Sequence, residues 1–269
     1  MSLTAHKQNG LVWYTADHLH TPHGFSTRTG GVSPAPWDSL NLRPAQGDGE
    51  AALRENYRRF FAVLGLDETR AVLSQQTHTA NIRRVTEADA GKGLTRPRDY
   101  TDVDALITNV PDLPLTVFSA DCGTVLLHDP VHRAVGAVHA GWRGCAAGIV
   151  EKTVQAMADA YGSRPSDLHA ALGPCIGQCC FETDGDVPAA MEKALSGDAA
   201  PYLEPRGPKY HVDLEGLNRQ WLLRAGLAPE HITVSGICTA CHPELFWSHR
   251  KMGDRRGVQA AVIALEGRL

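Results

Sequence analysis

Three segments of the 269-residue chain each set one potential metal ligand just beyond an apolar run. His78 follows the run Ala71–Leu73 in LSQQTHTANI. Cys122 lies between two apolar runs in TVFSADCGTVLLHD, and His139 closes the run Ala134–Val138 in AVGAVHAGWRG. Two imidazoles and a thiolate suit zinc, and copper accepts the same donors. Three protein ligands leave one coordination position for water or substrate, which is the pattern of a catalytic ion. Such an ion can polarise or deprotonate a bound water or phosphate. The same residues also permit a metal-free chemistry, with Cys122 as nucleophile and His139 as its base. Residue types alone leave an inert reading open too. Histidines at strand ends are often only hydrogen-bonded, and a lone cysteine packs as a small hydrophobe. Just after His139, Arg143 and Gly144 stand at the expected start of a helix, where free N–H groups and the dipole favour an anion. The Arg143 guanidinium adds a fork that matches phosphate or carboxylate. Arg28, in GFSTRTGG, is a second cation for such a pocket. Trp142, Phe246 and Trp247 either wall the pocket or fill core.

These residues need elements that bring distant strand ends together. Apolar runs at Ala71–Leu73, Ala105–Ile107, Leu115–Phe118, Val125–Leu127, Ala134–Val138, Leu168–Leu172 and Ile232–Val234 are expected as strands. Several are continuous rather than alternating, which suits a sheet covered on both faces. Helices are expected over Glu50–Leu64, over Gly144–Tyr161 with Gly162 closing it, and after a cap at Asp213, ending at Gly226. Strands interleaved with helices predict an α/β fold: a layered domain with a mixed β-sheet flanked by helices, residues 1–269 forming one domain. Short connections predict two hairpins, Leu115–Phe118 with Val125–Leu127 and Val125–Leu127 with Ala134–Val138. The polar stretch Gly91–Asp102 is expected as a surface loop.

Composition narrows the function classes. A net charge of −4 with scattered arginines gives no field for nucleic acid. No apolar run approaches the ~20 residues of a membrane span, and the N-terminal stretch lacks an export-type apolar core. A cytoplasmic protein is therefore expected. Seven cysteines, an odd number without an export signal, argue against a disulfide framework. Buried thiols are expected for Cys145, Cys175, Cys179, Cys180, Cys238 and Cys241, with a second metal or redox site among the last five as the alternative. CTACH (Cys238–His242) fits the C-x-x-C-H haem pattern, whose attachment needs export. HLHTPH (His18–His23) holds one H-x-H pair, where a multicopper cluster needs several. Those histidines are expected in an exposed loop.

Nine segments occur in one order: GFSTRTGGVS, SLNL, GD (Gly47-Asp48), QTH, DVDALIT, ADC, HAGWRG, GPCIGQCCFE, and Cys238-Thr239 with SHR (Ser248–Arg250). From about residue 20 onward the chain resembles the YfiH-type family, known both as laccase-domain or polyphenol oxidase proteins and as purine nucleoside phosphorylases. The resemblance implies that His78, Cys122 and His139 bind zinc, copper being possible. It implies that glycines around His139 let substrate approach the backbone. On this reading those three residues and Arg143 are catalytic, and Arg28, Gln76 and Arg250 contact substrate. The implied reactions are phosphorolysis of adenosine, inosine and methylthioadenosine to base and ribose 1-phosphate, and hydrolytic deamination of adenosine. The partners are then small molecules, nucleoside and phosphate, and the protein is a monomer or weak homodimer. Two alternatives stand beside this: a peptidoglycan-editing hydrolase acting on a cell-wall precursor, and a copper-dependent polyphenol oxidase. The chain departs from the family pattern at Gly123-Thr124, where relatives usually have Val-Pro, and at Arg256-Gly257-Val258, where Thr-Gly-Arg is common. The second departure bears on substrate contacts.

Overall fold

The computed structural model describes residues 2–44 and 47–267. Its strands are β1 (Thr4–Gln8), β2 (Leu11–Thr15), β3 (His23–Ser26), β4 (Val72–Leu73), β5 (Ile82–Arg84), β6 (Ala105–Thr108), β7 (Leu115–Ser119), β8 (Gly123–Asp129), β9 (Ala134–Ala140), β10 (His169–Leu172), β11 (Glu182–Thr183), β12 (Leu203–Arg206), β13 (Lys209–Val212), β14 (Ile232–Thr233) and β15 (Gln259–Ile263). The α-helices are α1 (Glu50–Val63), α2 (Trp142–Ala146), α3 (Ile149–Tyr161), α4 (Asp186–Leu195), α5 (Leu214–Arg224) and α6 (His249–Met252). One six-stranded sheet runs β1-β2-β3-β15-β7-β4 and a second runs β14-β10-β8-β9-β6-β5; β11, β13 and β12 make a small third. Both large sheets are mixed. β4–β7, β5–β6 and β10–β14 pair parallel, and the neighbours between them pair antiparallel.

The continuous apolar runs are explained by layering. The two large sheets face each other, with Leu106, Leu126, Val135 and Ala137 of one packed among Leu115, Val117, Ala261 and Ile263 of the other. The far side of the second sheet is covered by α3 and α5, where Val125, Leu127 and Val138 meet Val154, Met157, Leu217 and Trp221. The far side of the first is covered by α1, through Tyr57, Phe60 and Phe61. All three of these aromatic side chains are fully buried. Each such burial is worth about 1.5–3 kcal/mol, so the helix is held by its apolar face more than by propensity. The α/β expectation is met, with two stacked mixed sheets in place of one.

One of the two expected hairpins and one expected helix differ. β8 and β9 form the anticipated hairpin, from Gly123 opposite Ala140 to Asp129 opposite Ala134. β7 and β8 do not pair. β7 is flanked by β15 and β4, and β8 by β9 and β10, so each already has both edges occupied. The three residues between them, Ala120–Cys122, carry the chain from one sheet to the other, with Asp121 at φ 89° in the left-handed region. Cys122 therefore lies where the ends of the two sheets meet. The helix expected over Gly144–Tyr161 is broken: α2 ends at Ala146, and α3 starts after Gly148 at φ 71°. The Trp221 ring packs 3.5 Å from where a Gly148 side chain would begin. The cap at Asp213 is as expected, its carboxylate accepting from Gly216 N at 2.9 Å. No helix among the described residues is long and apolar enough to cross a membrane.

Candidate metal centre and its cleft

The site is organised by one buried acid. Asp104, just before β6, is fully buried, and its carboxylate collects five donors. The backbone N–H groups of Thr77, His78 and Thr79 each donate at 3.0 Å. The Thr79 hydroxyl donates at 3.0 Å and His139 Nδ1 at 2.7 Å. This grip holds His78 at φ 66°, an uncommon conformation for a side-chain-bearing residue that persists only when its surroundings over-determine it. With Nδ1 donating to Asp104, Nε2 of His139 is the free donor atom of the ring. His139 itself sits on β9 opposite Thr124, nearly buried. Cys122 Sγ lies 3.8 Å from His78 Nε2. The two imidazoles meet edge-on with centroids 5.0 Å apart. One donor atom from each of His78, Cys122 and His139 lies within 4.8 Å of the others.

Gly141 makes this convergence possible. A Cβ there would sit 2.8 Å from Cys122 Sγ and 3.3 Å from His78 Cδ2. The space a side chain would need is filled by the candidate ligands, and that packing is a reason for the glycine additional to the expected approach of substrate.

The electrostatics fit a cation. Burial pushes the Cys122 thiol up, but the His139 charge and hydrogen bonds from His139 and His78 outweigh it and bring it down to about 6. Burial pushes His139 down, yet the Cys122 thiolate and Asp104 raise it to about 9. Asp104 is raised by burial and lowered more by its donors, to about 2. The sequence of charges is carboxylate, imidazolium, thiolate. A divalent ion would take the place of the imidazolium proton between the two anions. The donor set is of zinc or copper type, and the Asp104–His139 bond is the outer contact such ligands commonly carry. The residues present fit a metal.

The group opens on a cleft of about 450 Å³ that also takes in Trp142, Arg143, Phe181, Leu214, Arg250 and Arg256. Arg143 lies over the Trp142 ring at 4.2 Å, and no acid among the described residues pairs with it. Arg250 is aimed by two carbonyls, donating to Cys180 O and Glu182 O at 2.9 Å each. Its backbone N–H donates to Asp121, which also accepts from the Thr239 and Ser248 hydroxyls. Asp121 is thereby fully engaged. Arg256 reaches the cleft with its Nε unpartnered among the described residues.

Other sequence expectations are corrected. Arg28 does not line the cleft. Its guanidinium stacks on Trp247 at 4.1 Å and donates to Asp38 O and Pro243 O, so it ties loops together. Gln76 is equally committed, donating to Phe118 O at 2.8 Å and accepting from Phe118 N at 2.7 Å. It pins the His78 loop to β7 and is not among the residues that line the cleft. Arg143 is not at the start of a long helix. It is in five-residue α2, so the anion argument rests on its guanidinium alone. Phe246 and Trp247 are fully buried core. His23 is buried and accepts from Ala16 N, and His18 bonds His231 O, so of the three histidines in HLHTPH only His20 is the exposed loop residue expected.

Asp104, Asp121, Phe181, Leu214 and His249 were not singled out from sequence, and Arg256 was named there only as part of a departure from the family pattern that bears on substrate contacts. Asp104 did leave a signal: an acid heading an apolar strand must be buried and must be satisfied.

The family model for multi-copper polyphenol oxidoreductase laccase matches residues 22–266. A Bacillus subtilis protein described as purine nucleoside phosphorylase YlmD is 35% identical over 248 residues, covering 90% of this chain and 88% of that protein. Mouse purine nucleoside phosphorylase LACC1 is 32% identical over 250 residues, which span 90% of this chain and 55% of that protein. The crystal structure of YlmD from Geobacillus stearothermophilus matches with a TM-score of 0.90 at 33% identity, covering 97% of this chain and 98% of that one.

Proposed function

The chain belongs to the multi-copper polyphenol oxidoreductase laccase family, and from that premise we propose that it is a zinc-dependent purine nucleoside phosphorylase. The observation that carries this reading is one cleft lined by His78 and Cys122, two members of the group that buried His139 completes, together with three guanidinium side chains, Arg143, Arg250 and Arg256. A phosphorylase must hold an anion beside a nucleoside, and cations next to a metal-competent group suit that need. The phosphorylase names of the relatives support it. Among the described residues the metal-competent groups are one of two histidines and a cysteine and one of four cysteines. Neither is the set of histidine pairs that a multicopper cluster uses.

In this reading His78, Cys122 and His139 are the ligands. The ion, when bound, supplies a positive centre that polarises a phosphate or water oxygen. Arg143 and Arg256 clamp the phosphate, and Trp142, Phe181 and Leu214 provide apolar walls for a purine ring. A phosphate oxygen attacks the sugar carbon, the bond from that carbon to the purine nitrogen breaks, and the electron pair leaves with the base. The base takes up one proton, giving free purine and ribose 1-phosphate. His249 is the cleft histidine outside the metal group and is the side chain available to carry that proton. Adenosine, inosine and methylthioadenosine share the bond that is cut. Deamination of adenosine is the second activity of this reading: there a water attacks C6 of the purine instead of the sugar carbon, the bond from C6 to the exocyclic nitrogen breaks, and ammonia leaves to give inosine.

The test is a product assay with adenosine, with and without phosphate, on protein of measured metal content. Adenine and ribose 1-phosphate should form only with phosphate, and inosine should form regardless of it. Cys122→Ala should lose both activities, and a variant still active with adenosine and phosphate would remove this mechanism. Metal bound to Cys122 in stoichiometric amount would exclude the hydrolase alternative that uses that thiol as nucleophile. Phenol oxidation by copper-loaded protein, with no activity on nucleosides in any metal form, would favour the oxidase.

A further inference from the structure

Away from the histidine-containing group, four more cysteines converge. Cys179 and Cys180 lie in GPCIGQCCFE, and Cys238 and Cys241 lie in CTACH. Their sulfurs all lie within 4.8 Å of one another. Cys179 and Cys180 each stand 3.5 Å from Cys241. The two loops are pinned together by backbone contacts independent of the sulfurs. Cys175 and Cys238 form an isolated parallel bridge, with Cys175 N donating to Ile237 O and Thr239 N to Cys175 O. Gly177 N donates to Cys238 Sγ at 3.2 Å, a contact that favours a thiolate. A Cβ on Gly177 would stand 3.1 Å from the Cys238 Cβ and 3.4 Å from the Cys179 Sγ, so the glycine lets the loops close on each other.

The spacings discriminate between the ways cysteines cluster. A disulfide needs about 2.05 Å between sulfurs, and all seven cysteines are free thiols. Four sulfurs set tetrahedrally at about 2.3 Å from a zinc ion lie about 3.8 Å apart. The Cys179–Cys241 and Cys180–Cys241 separations of 3.5 Å, and the 4.8 Å within which all four sulfurs lie, bracket that value. The C-x-x-C pair is a common half of closed structural zinc sites. Cys175 is outside the group. It is buried, with its Sγ turned to Ile176 O. His242, next to Cys241, is turned to Glu244.

We propose that Cys179, Cys180, Cys238 and Cys241 bind one divalent ion of the zinc class as a closed tetrathiolate site, separate from the His78–Cys122–His139 group. Its role is to brace the cleft. Phe181, directly after Cys180, lines the cleft, and Arg250 is aimed by the carbonyls of Cys180 and Glu182. Thr239, directly after Cys238, holds Asp121, which in turn holds the Arg250 backbone. An ion joining the two cysteine loops fixes the apolar wall and the cation on that side together. With four protein ligands it has no open position, so it takes no part in the reaction itself.

The test is metal counting on the full-length protein. Elemental analysis should find two zinc equivalents per chain. Cys179→Ser/Cys241→Ser should retain one, and Cys122→Ala should retain the other. With cobalt in place of zinc, the Cys122→Ala protein should show the intense sulfur-to-metal absorption of four thiolates, and the double variant should lose it. The double variant should also raise KM for nucleoside more than it lowers kcat, because it loosens the wall. Two zinc equivalents retained by a natively folded double variant would overturn the proposal. So would a disulfide between these cysteines in protein kept under reducing conditions. Should the double variant fail to fold, Cys122→Ala decides alone: metal-free protein, or a cobalt spectrum without thiolate character, overturns the tetrathiolate site. Because each variant reports on its own ion, failure here is distinguishable from failure of the histidine-containing centre.

Discussion

Asp104→Asn tests the organisation of the candidate metal centre without touching a candidate ligand. In the carboxylate, one oxygen accepts from Thr77 N, Thr79 N and the Thr79 hydroxyl, and the other accepts from His78 N and His139 Nδ1. An asparagine keeps one acceptor oxygen and puts an NH2 donor where the other stood. Whichever way the amide is turned, at least two N–H groups then face a donor. Each buried group left without a partner costs about 1–3 kcal/mol, so the loss is about 2–6 kcal/mol. At about 2–4 °C per kcal/mol for a chain of this size, Tm should fall by roughly 5–20 °C. Metal affinity should fall about tenfold to a hundredfold, the usual effect of losing an outer-shell carboxylate. Thermal melts of metal-free and metal-loaded protein, with a chelator competition for affinity, measure both. A variant within about 1 °C of the parent and within about twofold in metal affinity would refute the role given to Asp104.

Four further outcomes follow from the same geometry. Gly141→Ala places a methyl 2.8 Å from the Cys122 sulfur, so the protein should fold with a modest stability loss of about 1–3 kcal/mol while metal binding drops sharply in a chelator competition. Arg143→Met removes a guanidinium with no acid partner among the described residues. KM for phosphate should rise about tenfold to a hundredfold in steady-state assays, since a charged hydrogen bond is worth about 1.5–3 kcal/mol, with little change in Tm. In metal-free protein, Cys122 alkylation should rise with pH around a midpoint near 6, and bound zinc should suppress it. The depressed Asp104 contributes stability that is present above the ordinary carboxyl range and lost as pH falls through about 2, so acid unfolding of Asp104→Asn should lack that leg.

The strand runs were legible because strands covered on both faces must be apolar throughout, as in β8 and β9. The polar edge strand TAHKQ and the two-residue strands were not, because their pairing depends on distant partners and leaves little periodicity. The break at Gly148 was hidden for a similar reason: the apolar spacing of α3 continues across it in sequence, and only Trp221 packing over the glycine decides where the helix restarts.

Sequence by itself determined the candidate ligand types, their order and the layered α/β class, since donor chemistry and apolar patterning are local properties of the chain. Only the tertiary structure decided that β7 and β8 part into different sheets. That parting puts Cys122 at the junction where His78 and His139 arrive. It also decided that Arg28 and Gln76 serve the scaffold while Arg256 reaches the cleft, and that four scattered cysteines form one group. The physical reason is that a side chain's role follows from which partners fill its hydrogen bonds and its space. Those partners, such as Asp104 for His139 and Gly141 for Cys122, come together only when the two sheets stack.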